Sequence, residues 1–211
     1  MSDTLIAAFL GAVITLIGQI STVYISNFKE NLRSKQKEFQ SKRDNLSEVY
    51  QALISAINSY PNESPADVLG NIKHGPGYLF ERFETTLKSL DFQIEDYRSQ
   101  LNNPKNSYEQ KNDIELKISN REYAKKRIIE IQDEYFKARD NYKSFSESGK
   151  SIFTLYAGQD VRNALVSFEV IIHNVFISGY PARDGNDPLE NNIDIARNNL
   201  IDSIRNDLGN K

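Results

Sequence analysis

The stretch VRNALVSFEVIIHNVF, residues 161–176, is the most apolar part of the chain after the first 26 residues. Its large apolar side chains recur at intervals of three and four residues, which places them on one face of a helix. That face consists of Val161, Leu165, Phe168, Ile172 and Val175, and it is widened by Val170, Ile171 and Phe176. We therefore expect a central core helix over about residues 151–178.

The same spacing recurs on both sides of this helix. It predicts a helix over residues 80–101, a long helix over residues 107–148 that stops at Gly149, and a last helix with Asp187 as its cap and Pro188 as its first residue. Residues 61–77 are rich in Pro and Gly and predict a loop with room for one short helical turn near residues 66–69. No segment alternates as a strand would, so the predicted fold class is all-α, with a bundle of four to five helices over residues 46–211.

Residues 5–25, LIAAFLGAVITLIGQISTVYI, carry no charge. At about 1.5 Å rise per residue, a helix of this length reaches roughly 31 Å, which is the hydrocarbon thickness of a bilayer. A cleaved signal peptide would have a basic start and a shorter apolar run, and this segment has neither. We therefore predict a transmembrane helix within residues 1–26.

The segment that follows the predicted span is basic. Residues 27–43 hold six Lys or Arg and two Glu, whereas the residues before the span are nearly neutral. Positive flanks stay in the cytoplasm and can lie against anionic lipid headgroups, so we expect a plasma (inner) membrane protein with its first residues outside and its bundle in the cytoplasm. Apolar residues recur here every seven positions, which predicts a coiled-coil-like helical neck over residues 27–45. They are Ile25, Leu32, Phe39, Leu46, Leu53 and Tyr60.

Small and polar side chains follow one stripe of the predicted span. The stripe includes Gly11, Thr15, Gly18, Gln19, Thr22 and Ser26. Small residues let helix backbones approach each other in lipid, and an amide such as that of Gln19 is costly when it faces lipid. Two interpretations remain open. The helices of a homo-oligomer pack along this stripe, or several copies line an aqueous pore with its Thr, Gln and Ser side chains.

No pattern of residues predicts an enzyme, a metal site or a cofactor. Cysteine is absent, which excludes thiolate nucleophiles and iron–sulfur ligands. His74 and His173 have no partners at metal-ligand spacing, and no nucleotide-binding or hydrolase motif occurs. The net charge of −3 also gives no global electrostatic basis for nucleic-acid binding.

Two groups of residues are candidates for anion binding. The first is the basic cluster Lys125, Lys126 and Arg127. It is either a solvated helix face or a contact surface for a nucleotide or oligonucleotide. The second group comes from two Gly-containing loops and consists of Lys73, His74, Tyr180 and Arg183. Those side chains could converge on an anionic ligand if the fold brings the two loops together.

The chain opens with an uncharged segment containing Gly11, Thr15 and Gly18, continues as a Lys/Glu/Gln-rich neck, and starts the bundle with Asn-Leu-Ser-Glu-Val-Tyr at residues 45–50. This layout resembles small single-span bacterial membrane effectors of anti-phage defence systems, the Hailong-type channel effector among them. The resemblance covers about residues 1–60. It implies an oligomeric channel that depolarises the host membrane, controlled by a nucleotide or oligonucleotide bound to the cytosolic domain.

Two functions are therefore expected from the sequence. The first is a homo-oligomeric, single-pass membrane effector whose cytosolic helical sensing domain gates an ion-conducting pore in antiviral defence. The alternative is a membrane-tethered helical adaptor, in which the bundle recruits a cytosolic protein partner and the span acts as an anchor.

Overall fold

The computed structural model describes residues 44–183 and 190–209, together with residues 29, 30, 32–35, 37, 40 and 41. The chain divides into two units, Met1–Leu46 and Ser47–Lys211. The described residues of the first unit are helical. Within the described part of the chain, no helix is both long enough and apolar enough to cross a bilayer. The predicted span lies outside the described residues, and so do its stripe residues Gly11, Thr15, Gly18, Gln19, Thr22 and Ser26.

The second unit is built from helices over residues 47–183 and 190–209. These helices are α1 (47–58), α2 (Pro65–Gly70), α3 (Phe83–Leu101, preceded by a 3-10 turn at Phe80–Arg82), α4 (Tyr108–Ser148), α5 (Lys150–Tyr156), α6 (Gln159–Phe176) and α7 (Asn192–Asp207). The described residues contain no β-strand beyond one isolated antiparallel bridge between Arg183 and Asn191. The predicted all-α class is confirmed.

Local sequence signals set the first residues of two helices. Ser64 accepts a hydrogen bond from the backbone N–H of Asp67, whose carboxylate accepts one in return, and Pro65 takes the first position of α2. Ser107 and Gln110 form the same reciprocal capping box at the start of α4. These caps satisfy backbone donors that have no partner inside the helix.

Helices α3 and α4 pack together as a hairpin, and α6 packs along α7. The predicted face of α6 is buried, including Val161, Phe168 and Val175. Val170, which we expected to widen that face, is instead 51% exposed. The reason is its position four residues after the exposed Val166, which places both valines on the outer side of the helix.

Two predicted helix boundaries were wrong. The helix expected over residues 151–178 is broken at Ala157 and Gly158 into α5 and α6. The Gly158 N–H donates to Asp207 Oδ2 at 3.3 Å, and a Cβ atom at this position would come within 2.2 Å of Asp207 Oδ1.

Helix α7 begins at Asn192, with the Asn191 side chain as its cap, because that side chain accepts from the backbone N–H groups of residues 193 and 194. The expected start at Asp187 lies outside the described residues, and residues 190 and 191 are not helical.

Candidate functional site

An aromatic cluster joins the end of α1 to α4 and α6. Tyr135 of α4 stacks on Phe176 of α6 with ring centroids 5.0 Å apart. Tyr60, which follows α1, makes an edge contact with Phe168 at 5.7 Å. All four rings are buried. Those on α4 and α6 belong to the inner faces of these helices, and Tyr60 packs at the end of α1.

This cluster opens into a pocket of about 150 Å³, which we name the tyrosine pocket. Its walls include Tyr60, Tyr135, Phe168 and Ile172, and its rim includes Tyr142, Glu169 and His173. The Tyr142 hydroxyl donates to Glu169 Oε1 at 2.5 Å and so links α4 to α6 at the rim. Glu169 and His173 are exposed, whereas the wall residues are buried. The pocket is therefore apolar inside and polar at its opening.

The phenol groups of the pocket resist ionisation. Burial raises the pKa of Tyr60 and of Tyr135 above the ordinary value of tyrosine. Burial raises the pKa of Tyr142 as well, and the hydrogen bond to the Glu169 carboxylate raises it further. All three side chains are consequently neutral at physiological pH, and Glu169 is the carboxylate of the pocket.

The predicted basic cluster lies on α4, and acidic side chains neutralise much of it. Lys125 Nζ lies 2.6 Å from Asp91 Oδ1 on α3. Arg127 Nε lies 2.8 Å from Glu63 Oε2, and its Nη1 contacts two further carboxylates. The hydrogen bond to Glu63 is the main reason that the pKa of Arg127 is raised. Lys126 is 80% exposed, with its Nζ 3.8 Å from a Glu130 oxygen.

Lys125 and Lys126 line a groove of about 410 Å³ between α3 and α4. The same groove contains Asp91 and Glu122, so its charge is mixed rather than basic. Arg127 is not among its lining residues, because its side chain reaches toward Glu63 in the loop before α2. The cluster thus does not present three free cations on one surface, and its role as a ligand site stays a prediction.

The segment that follows the first predicted loop lies beside the segment that precedes the second. The Phe80 N–H donates to the carbonyl of Ile177 at 3.3 Å, and Gly179, with φ of 77°, packs against the Tyr78 carbonyl. A Cβ atom at Gly179 would come within 2.0 Å of that Tyr78 oxygen, so the close approach of the loops requires glycine there.

The four side chains predicted in these loops occupy two different surroundings. Arg121 donates to the carbonyl of Lys73 at 3.0 Å, and Gln93 donates to the carbonyl of His74 at 3.2 Å, so this loop is held against α3 and α4. Tyr180 and Arg183 instead line a groove of about 520 Å³ beside α6 and α7. That groove is one candidate anion site, but Lys73 and His74 are not among its lining residues.

Comparisons with known protein families, with curated proteins and with solved structures found no match to this chain. Among residues 44–183 and 190–209, no group of three or more His, Asp or Glu side chains is arranged to hold a metal ion.

The tyrosine pocket was missed by sequence reasoning. Tyr135 and Tyr142 fit the apolar spacing of the predicted long helix, where they lie seven residues apart and share one face. Glu169 directly follows a core residue of α6. An acidic residue at the edge of an apolar helix face could have indicated a polar opening beside the core. Its pairing with Tyr142, 27 positions away in the chain, could not be read from spacing.

Proposed function

We propose that this chain is a membrane effector in which residues 5–25 cross the bilayer, copies of that segment assemble into an ion-conducting pore, and the helical bundle controls the pore from the cytoplasm. The observation that carries the proposal is the uncharged segment of bilayer length with Gln19 in its polar stripe. A single helix cannot enclose a channel, so the proposal requires a homo-oligomer. Its proposed biological setting is anti-phage defence.

The test measures ion flux through liposomes that contain the purified full chain. Gln19→Leu removes the amide from the polar stripe, and we expect flux to be lost because an apolar ring at this depth blocks hydrated ions. The matched control is Ile20→Leu, which places the same side chain at the next position, about 100° further around the predicted helix. Unchanged flux in Gln19→Leu would remove the pore from the proposal.

Insertion is checked in the same samples. The chain has no cysteine, so Ser2→Cys creates a unique site for a membrane-impermeant maleimide, and Ser151→Cys creates one on the exposed surface of α5. In intact cells we expect labelling at position 2 and protection at position 151, as the positive flank requires. The opposite pattern would reverse the proposed orientation.

A membrane-tethered adaptor is the second candidate function. It is supported by large apolar side chains on the outer surface of the bundle, among them Phe92 and Leu155, which are 69% and 73% exposed. An adaptor keeps its cellular phenotype when residues 5–25 are replaced by an unrelated apolar helix, whereas a pore-forming effector loses it. That exchange separates the two functions.

A further inference from the structure

The tyrosine pocket has a size that matches a small molecule. Its volume of about 150 Å³ is comparable to that of cavities that hold a benzene-sized ligand. Its walls are aromatic and aliphatic, with Tyr60, Tyr135 and Phe168 each less than 10% exposed. A ligand in this space would gain dispersion contacts with several rings.

The charged groups at the rim determine whether the pocket favours a cation or an anion. Glu169 uses Oε1 to accept from Tyr142, and its Oε2 accepts no hydrogen bond from any residue that the structure describes. Arg139 is an exposed cation near these rings, and its Nη2 lies 3.3 Å from Asp140 Oδ1. The carboxylate of Glu169 therefore places a negative charge at the opening.

A ring beside the pocket, that of Phe136, already contacts a cation of the protein. The Arg139 guanidinium lies 4.9 Å from the centroid of the Phe136 ring, and that ring neighbours Tyr135 at 5.8 Å. The electron-rich faces of aromatic rings attract cations, most strongly where water is excluded. Aromatic walls combined with one carboxylate form the kind of site that recognises alkylated ammonium groups.

We propose that the tyrosine pocket binds a small organic ammonium cation, whose alkyl groups contact the rings of Tyr60, Tyr135 and Phe168 and whose charge is stabilised by Glu169. Binding leaves the Tyr142–Glu169 hydrogen bond intact, because the second carboxylate oxygen remains available. The proposal is independent of pore formation, since it concerns the bundle and can be tested with or without a membrane.

The test titrates tetramethylammonium chloride into the full chain in a non-ionic detergent, without a histidine tag. The chain has two histidines, so NMR of their imidazole groups reports on two places at once. His173 lines the pocket and should show a saturable shift, whereas His74, held in the loop near Gln93, should not move. Equal shifts of both signals, or no saturable shift of His173, would overturn the proposal.

Two controls separate charge from shape. tert-Butanol has nearly the same shape without the charge, and potassium chloride reproduces the ionic strength. Either one producing the tetramethylammonium response would show that the pocket does not select an organic cation.

Glu169→Gln keeps the side-chain shape and removes the charge, so we expect about tenfold weaker binding or more. The matched control is Glu147→Gln, an exposed carboxylate of α4 outside the pocket, which should bind as the natural chain does. Because Glu169 is exposed, its neutral variant should remain folded, and the melting curve verifies this. Undiminished affinity in Glu169→Gln would refute the assigned role of the carboxylate.

Discussion

Replacing Arg197 with methionine should destabilise the bundle far more than any other single arginine substitution on α7. Arg197 is 9% exposed and donates to four acceptors. They are the carbonyls of Ile57 (3.3 Å) and Tyr60 (2.9 Å), Asn62 Oδ1 (2.7 Å) and Asp194 Oδ1 (2.6 Å). Two of these acceptors are backbone carbonyls at and just beyond the C-terminal end of α1, where carbonyl groups lack partners within the helix.

The expected cost follows from what each acceptor can do afterwards. Asp194 is 42% exposed and Asn62 is also exposed, so water can replace the lost partner at both, and the Ile57 carbonyl retains the Tyr60 N–H at 3.4 Å. The Tyr60 carbonyl bonds to the guanidinium in a buried setting and would be left without this donor. A buried group that loses its partner costs about 1–3 kcal/mol, and part of that cost is offset because the variant no longer buries a guanidinium, whose pKa burial lowers, so we expect a loss of about 2 kcal/mol.

The assay is chemical denaturation of the full chain in non-ionic detergent, followed by far-UV circular dichroism. Methionine retains most of the aliphatic volume of arginine, so the comparison isolates the guanidinium. Arg205→Met is the matched control on the same helix, because Arg205 is exposed and makes one surface ion pair with Asp202 that is worth about 0.5 kcal/mol or less. If Arg197→Met costs less than about 1 kcal/mol, or no more than the control, the reasoning from the buried carbonyls is wrong.

Two further predictions concern the contact between Tyr78 and Gly179. Gly179→Ala should lower the free energy of unfolding by about 2 kcal/mol or more, because residue 179 has a left-handed conformation and the new Cβ would lie 2.0 Å from the Tyr78 carbonyl oxygen. The control is Gly70→Ala, which has open space around it and should stay within about 1 kcal/mol of the natural chain in the same assay. Burial raises the pKa of Tyr78 to about 12, so the folded state keeps a proton that the unfolded chain releases near pH 10. Stability should therefore fall as the pH rises from about 10 to 12, and Tyr78→Phe should reduce that slope; an unchanged slope would mean that other groups cause the loss.

The sequence alone was sufficient for the helical class and for most helix positions. The apolar spacing predicted a helix over residues 107–148, close to the observed Tyr108–Ser148, because this signal acts within a few residues of the chain. Helix α7 was placed too early, because Asp187-Pro188 is an equally good local start signal. The side chain of Asn191, which also donates to the carbonyl of Asn62, provides the cap instead.

Only the tertiary structure decided where charges and rings meet. Lys125, Lys126 and Arg127 are adjacent in the chain, yet the first pairs with Asp91 on α3, the third pairs with Glu63 in a loop, and the second remains largely exposed. Adjacent residues of a helix point in different directions, so each meets a partner that only the packing of distant segments provides. The tyrosine pocket has the same origin, since its side chains come from Tyr60, from α4 and from α6. The spacing of these residues in the chain predicts that they are buried and does not predict which distant residue each one will face.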